Sequence, residues 1–160
     1  MLKMEFIGGD VLVALLRAYG DKVQTAIVKS VARSALRLQS EVMENRLSGQ
    51  VLNVRTGNLR RSIHQRVTNT GSAVIGEVNT NVRYGKAHEY GFSGTVNVKA
   101  SLRQVRQAFG RPLKSPRYVQ VRAHSRNVRL PERSFLRTAL RDMKPEIEAD
   151  LQKSIEGALR

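Results

Sequence analysis

The chain has no cysteine and no tryptophan, and aromatic residues make up only 5% of its 160 positions. The lack of cysteine excludes disulfides, thiolate metal ligands and cysteine nucleophiles, and it fits a reducing cytoplasm. With so few aromatic residues, the hydrophobic 41% of the chain predicts an aliphatic core of Val, Leu, Ile and Ala. No stretch approaches the roughly 18 apolar residues that span a bilayer. Asp10 interrupts the first short apolar run and no small-residue cleavage site follows, so we expect no signal peptide. An anionic membrane is a second possible partner for so basic a chain, but we expect no membrane partner.

Acidic residues are also scarce. Lys and Arg number 28 against 13 Asp and Glu, a formal net charge of +15, and no acid occurs from Tyr90 to Pro131. This basic block predicts contact either with nucleic-acid phosphates or with acids of a neighbouring subunit, and both interpretations stay open. Its few aromatic residues favour duplex backbone over stacked single strands. The block contains Lys99, Arg103, Arg106, Arg111, Lys114, Arg117, Arg122, Arg126 and Arg129.

Linear signatures of catalysis are missing. There is no P-loop, no GxGxxG, no HExxH and no nucleophile elbow, and the histidines do not fall at zinc-ligand spacings. We therefore expect no catalytic residue, no metal site and no cofactor. One enzymatic hypothesis remains, a small nuclease in which Glu89 orients His88 as a base. Adjacent residues on a helix point in different directions, which disfavours that pairing.

The length of 160 residues suits one domain, 1–160, and hydrophobic periodicity predicts both helices and strands, so we expect an α+β fold. We expect an antiparallel sheet of about four strands, packed against a long N-terminal helix and a C-terminal helix. The N-terminal strand and helices fall in 1–49, the sheet in 50–130 and the C-terminal helices in 131–160. The first part is predicted to hold a strand over 4–7, a helix over 11–18 capped by Asp10 and a helix over 22–47 capped by Asp21.

The central part is predicted to hold a hairpin, a short helix over 83–90 that ends at Gly91, and two further strands. The connection 99–116 is an extended basic loop in which Ser101 caps a short helix bearing Leu102, Val105 and Phe109 on one face. Pro131 is expected to open the C-terminal helix, and Pro145 to kink or restart it. The four predicted strands are 63–68, 73–79, 92–98 and 118–123.

Three stretches, VRTGNLRRSI (54–63), NVRYGKAHEYG (81–91) and LPERSFLRTAL (130–140), occur in this order. Together they resemble the head–tail joining, or tail-completion, family of long-tailed bacteriophages, also called minor tail protein Z-like or phage virion morphogenesis proteins. Ser134 departs from that pattern, since proline is usual there. The residues of these stretches that we take as motif positions and subunit-contact candidates are Arg55, Thr56, Gly57, Leu59, Tyr84, His88, Glu89, Gly91, Pro131, Arg133, Phe135 and Leu136.

The resemblance implies a non-enzymatic structural subunit of a phage neck or tail tube end. It would form a ring, expected as a hexamer, that joins or completes the tail at the head–tail interface. The implied partners are copies of itself, other neck, terminator or tail-tube proteins, and double-stranded DNA passing through the lumen. Assembly would take place in the host cytoplasm, and the final location would be the virion.

Physical arguments give these motifs roles in the fold. Thr56-Gly57-Asn58 suits a tight turn with a cap, while Leu59, Phe135 and Leu136 are expected to pack inward. Two other functions remain open: a tail terminator, or a free cytoplasmic protein that binds nucleic acid without sequence preference.

Overall fold

The computed structural model describes residues 2–7, 20–108 and 111–159. The helix predicted over 11–18, its cap Asp10, and Phe109 lie outside these ranges. The chain divides into two compact units: Met1–Gly91 with Glu132–Arg160, which we call the body, and Phe92–Pro131, which we call the ribbon. The predicted α+β class is confirmed, with long helices near both ends and antiparallel sheets between them.

The body contains a three-stranded antiparallel sheet. Its strands are β1 (Leu2–Ile7), β2 (Ile63–Asn69) and β3 (Val74–Thr80), in the order β1-β3-β2. The predicted N-terminal strand and hairpin are therefore confirmed. Gly71 makes the hairpin turn with a φ of +80°, and its N–H donates to Asn69 Oδ1 at 2.9 Å. The positive φ explains why glycine occupies this position, because other residues seldom adopt such a backbone angle.

The long helix α1 (Asp21–Glu41) begins one residue earlier than predicted and continues as a π-helical segment over Val42–Gln50. Gly20 occupies the cap position and no side chain caps the helix, so the predicted Asp21 cap is wrong. Ser48 and Gly49 have non-helical backbone angles, which end the segment. An apolar stripe of this helix is buried at Val23, Ile27, Ala35, Leu38 and Val42, which recur every three, four or eight positions.

The C-terminal helix α4 spans Leu136–Leu159 and passes through Pro145 without ending there. Of the predicted kink or restart at Pro145, the restart is wrong, and the kink stays a prediction. Pro145 and Arg141, whose carbonyl loses its helical partner, are both exposed residues, so water can replace the missing hydrogen bond. Pro131 does not open the helix either, since α4 begins at Leu136. The helix N-terminus is set by a side chain distant in sequence, described below.

The core lies between α1, α4 and the sheet and forms two aliphatic clusters. One cluster surrounds the fully buried Phe135 and includes Leu38, Val42, Ile63 and Leu136. The other joins Val23 and Ile27 of α1 to Val74 of β3 and Leu151 of α4. The expectation that Phe135 and Leu136 anchor the last helix is confirmed, since at most 1% of each is exposed.

Two short helices complete the body. Helix α2 covers Asn58–Arg61, where no helix was predicted, and α3 covers Arg83–Tyr90, as predicted. Gly91 follows α3 with a φ of +74°, which confirms its expected role at the helix end.

The ribbon consists of two strand pairs in one register. Strand β4 (Phe92–Val98) pairs with β7 (His124–Leu130), and β5 (Ser101–Ala108) pairs with β6 (Arg111–Val121). Val98 faces His124, and three residues further along each strand Ser101 faces Val121. The unit is therefore one long two-stranded hairpin. At ~3.3 Å per residue, the span from Phe92 to Ala108 is about 55 Å.

The helix predicted from Ser101 is wrong, because that segment is β5. Over so short a segment, the three-residue spacing of Leu102 and Val105 is compatible with a helix. Leu102 is, however, 73% exposed and packs against no core. Pairing with β6 determines the conformation instead. Most of the predicted loop 99–116 thus belongs to a hairpin, and β7, which the sequence did not predict, completes it. A register shift after Val105 lies opposite the part of β6 that includes Pro116, which has no N–H to donate.

Candidate functional site

Glu89 joins the second motif stretch to the third. Its side chain is fully buried, and its Oε2 accepts the backbone N–H groups of Phe135 and Leu136 at 2.8 and 2.9 Å. Its Oε1 accepts the N–H of Arg137 at 2.9 Å and the hydroxyl of Ser134 at 2.6 Å. The carboxylate thus caps the first turn of α4, where free N–H groups and the helix dipole favour a negative charge.

These hydrogen bonds fix the charge state of Glu89. Burial on its own would raise the pKa of the carboxyl group. The donors Leu136, Ser134, Arg137 and Phe135 outweigh burial and hold the pKa below its ordinary value. Arg137 adds a guanidinium contact at 3.4 Å and stacks on Tyr90, 4.7 Å from the ring centroid. Because both carboxylate oxygens are occupied, Glu89 has little capacity left to orient His88.

The first motif stretch forms a tight turn before α2. Gly57 has a φ of +74°, and a Cβ added to it would lie 2.8 Å from Nη1 of Arg61. Arg61 donates to the carbonyl of Thr56 at 3.0 Å and to Oδ1 of Asn58 at 2.9 Å. The predicted turn is confirmed. The predicted cap is only a long contact, 3.5 Å from the N–H of Asn58 to Oγ1 of Thr56.

A cleft of about 780 Å³ opens between this turn, the end of the π-helical segment and α3. Its charged groups are arginines, and none of the described residues that line it is acidic. Leu47, Leu52 and Leu59 supply its apolar part. The predicted motif positions that line it are Arg55, Thr56, Gly57, Leu59, Tyr84, His88 and Arg133.

The histidine in the cleft is held by its neighbours. Its ring meets Tyr84 edge to face, with centroids 6.1 Å apart, and its carbonyl accepts the N–H of Arg133 at 2.7 Å. Burial lowers the pKa of His88, and the charge of Arg133 lowers it further. His88 is therefore a neutral, half-buried side chain at pH 7, whereas Tyr84 and Arg133 are exposed.

The remaining motif positions lie outside the cleft. Glu89, Phe135 and Leu136 are buried in the body, Gly91 ends α3, and Pro131 belongs to the ribbon. The sequence interpretation missed Ser134 and Arg137, which bind Glu89, and Arg60, which lines the cleft. Ser134 carried a signal that was not used, because serine is favoured just before a helix.

The basic block lies wholly in the ribbon, and all nine of its cations are exposed. Since the ribbon contains no acid, none of them is neutralised within that unit. Arg106 donates to Gln104 at 3.1 Å, a neutral partner.

The part of the chain that the structure describes contains neither a metal centre nor a membrane-spanning helix. Within 2–7, 20–108 and 111–159, no group of three or more His, Asp or Glu side chains is placed to hold a metal ion. In the same ranges, no helix has the length and apolar character needed to cross a membrane.

The chain matches a known family of phage proteins. The model of the HK97-gp10-like family, described as "Bacteriophage HK97-gp10, putative tail-component", matches residues 10–91, just over half of the chain. The chain belongs to the HK97-gp10-like family. The match includes the first two motif stretches and ends at Gly91, the residue that follows α3. No curated protein and no solved structure matches the chain.

The resemblance to phage head–tail and tail proteins is thereby confirmed. This HK97-gp10-like chain is a structural component related to phage tails, and its place is with other tail proteins in the virion. The matched residues include Arg55, Tyr84 and His88 of the cleft as well as Glu89, whereas the ribbon lies beyond the match.

Proposed function

We propose that this chain is a non-enzymatic subunit of a ring that joins or completes a phage tail at the head–tail interface. One observation carries this proposal: the motif residues build a buried helix cap and an open cleft, and not a set of reacting groups. The only acid adjacent to a histidine in the motifs, Glu89, uses both carboxylate oxygens on Ser134 and the start of α4. A hexamer remains the expected ring.

The cleft is the surface that we assign to a neighbouring copy. Identical subunits form a ring when one face of each binds a different face of the next and the rotation closes. The cleft combines exposed Tyr84 with Arg55 and Arg133 around an apolar floor. Tyrosine and arginine are enriched at the centres of protein interfaces, which supports this assignment.

Electron microscopy of lysates from a phage that lacks this gene tests the proposal. Full heads beside free tails are the expected result and indicate the joining role. Tails of wrong length would assign the protein to tail termination, the alternative within the same class. Intact, infectious particles would overturn both.

Complementation of that phage tests the cleft. Arg55→Glu with Arg133→Glu reverses two exposed charges of the cleft and should lower particle yield at least tenfold without loss of soluble protein. The matched control is Lys22→Glu with Lys153→Glu, which reverses two exposed charges on α1 and α4. Equal yields from the two double variants would remove the cleft from the proposal.

A free nucleic-acid-binding protein is the second candidate function, and the charge of the ribbon favours it. It predicts salt-sensitive binding by the isolated monomer together with normal particles when the gene is absent.

The nuclease hypothesis is not favoured, because both carboxylate oxygens of Glu89 accept hydrogen bonds from Ser134 and the start of α4. We expect neither wild type nor His88→Ala to cut nucleic acid in a metal-dependent assay. Cleavage by wild type that is lost in His88→Ala would support the nuclease hypothesis.

A further inference from the structure

We propose that the outer part of the ribbon, from Lys99 to Arg122, binds the phosphate backbone of duplex DNA. The inference rests on the proposed function, since a subunit at the head–tail interface would lie on the path of the DNA. It goes further in naming the partner of the basic block and the segment that contacts it.

The charge of the ribbon is concentrated in this outer part. Seven of its nine cations lie between positions 99 and 122, and each is exposed. Exposed Lys and Arg side chains displace counterions from DNA, which gives affinity without sequence preference. The seven are Lys99, Arg103, Arg106, Arg111, Lys114, Arg117 and Arg122.

A second copy of the chain is a poor alternative partner for these cations. Seven of the 13 acids of the chain already contact a cation of the body, so each would have to share or give up that contact to pair with the ribbon of a neighbouring copy. The seven are Glu41, Glu89, Glu132, Asp142, Glu146, Glu148 and Asp150.

The shape of the ribbon suits duplex DNA. A two-stranded β-ribbon fits the major groove, which is about 12 Å wide. Arg103 faces Val119 and Arg117 faces Val105, so the two arginines share one side of the ribbon as diagonal neighbours. Such neighbours lie about 7–8 Å apart. The opposite side carries Leu102, Gln104, Tyr118 and Gln120, among which Gln104 donates to the hydroxyl of Tyr118 at 3.2 Å.

Single-stranded nucleic acid fits less well. Proteins that bind it stack successive bases on several aromatic side chains. Residues 99–122 include only two aromatic residues, Phe109 and Tyr118. We therefore expect contact with phosphates along a duplex and little preference for base sequence.

Fluorescence anisotropy of the full chain with a labelled 20-base-pair duplex tests the inference between 50 and 200 mM salt. The ribbon variant is Arg103→Gln, Arg111→Gln and Arg117→Gln. The control variant, Lys22→Gln, Lys29→Gln and Lys153→Gln, removes the same charge from exposed positions of α1 and α4. Melting curves establish that both variants fold.

We expect the wild type to bind with a steep salt dependence and the ribbon variant to bind at least tenfold more weakly at 100 mM salt. Its slope of log affinity against log salt should flatten by about 2.7, since each phosphate contact contributes about 0.9. The control variant should keep most of the affinity and the slope.

Four results would overturn the inference. The first three are no duplex binding by the wild type, equal losses in the two variants, and equal binding to vesicles of anionic phospholipid. The fourth is a ribbon variant that keeps DNA binding but no longer self-associates, which would assign the ribbon to a neighbouring copy. The particle assay of the proposed function is independent, so failure of DNA binding with free heads and tails still observed would remove only this inference.

Discussion

The carboxylate of Glu89 accepts the backbone N–H of Leu136 at 2.9 Å, across 47 positions of sequence. The contact determines where the last helix begins and ties α3 to α4. It also explains why an acid stands next to a histidine in the second motif stretch without forming a catalytic pair.

Replacement of Glu89 by alanine should destabilise the protein by about 2–4 kcal/mol, because it leaves buried N–H groups of Phe135 and Leu136 without an acceptor. Urea denaturation measures the loss. Glu132→Ala is the matched control, since Glu132 also contacts Arg137 but is 55% exposed. That change should cost no more than about 0.5 kcal/mol. Equal losses would mean that the cap contributes little.

The lowered pKa of Glu89 makes a prediction about acid stability. The folded state holds this pKa below the ordinary 4.5, so the unfolded state binds the proton more tightly. The stabilisation contributed by ionised Glu89 is therefore complete when the pH lies above its pKa in the unfolded state. It is lost as the pH falls through its pKa in the folded state. The free energy of unfolding of wild type minus that of Glu89→Gln should shrink between pH 6 and pH 3. A difference that stays constant over this range would contradict the assigned cause.

Local patterns predicted much of the body. The stripe of α1 was predictable because its apolar residues recur every three or four positions and face one core. The hairpin around Gly71 and the end of α3 at Gly91 were predictable because turn chemistry is local. Seven residues that line the cleft were motif positions, although the sequence predicted neither the cleft nor its other members.

The features that the sequence did not predict depend on distant partners. The cap of α4 needs Glu89, which no local signal near Leu136 reveals. Strand β5 was taken for a helix because the ribbon is exposed on both faces and shows no strict apolar alternation over 101–108. The start at Pro131 was wrong because proline is also well suited to extended segments.

The turn at Gly57 can be tested against the turn at Gly71. Both have φ near +80°, at +74° and +80°, so alanine strains each backbone by about 1 kcal/mol. Only at Gly57 would the new Cβ meet a side chain, Nη1 of Arg61 at 2.8 Å, whereas nothing lies within 4 Å at Gly71. Gly57→Ala should therefore cost about 1 kcal/mol more than Gly71→Ala, because Arg61 loses its hydrogen bonds. Equal costs in urea denaturation would mean that Arg61 repositions freely.

The effect of the Arg133 charge should be measurable as a change in the pKa of His88. Burial is the larger cause of the lowered pKa of His88, and the charge of Arg133 is the second. Arg133→Gln should therefore raise the pKa of His88 only part of the way toward its ordinary value of 6.5. NMR titration of the imidazole protons measures the change, with Lys22→Gln as a control that removes an exposed charge from α1. A full return to 6.5 would mean that the charge outweighs burial, and no rise at all would mean that Arg133 is screened by solvent in the open cleft.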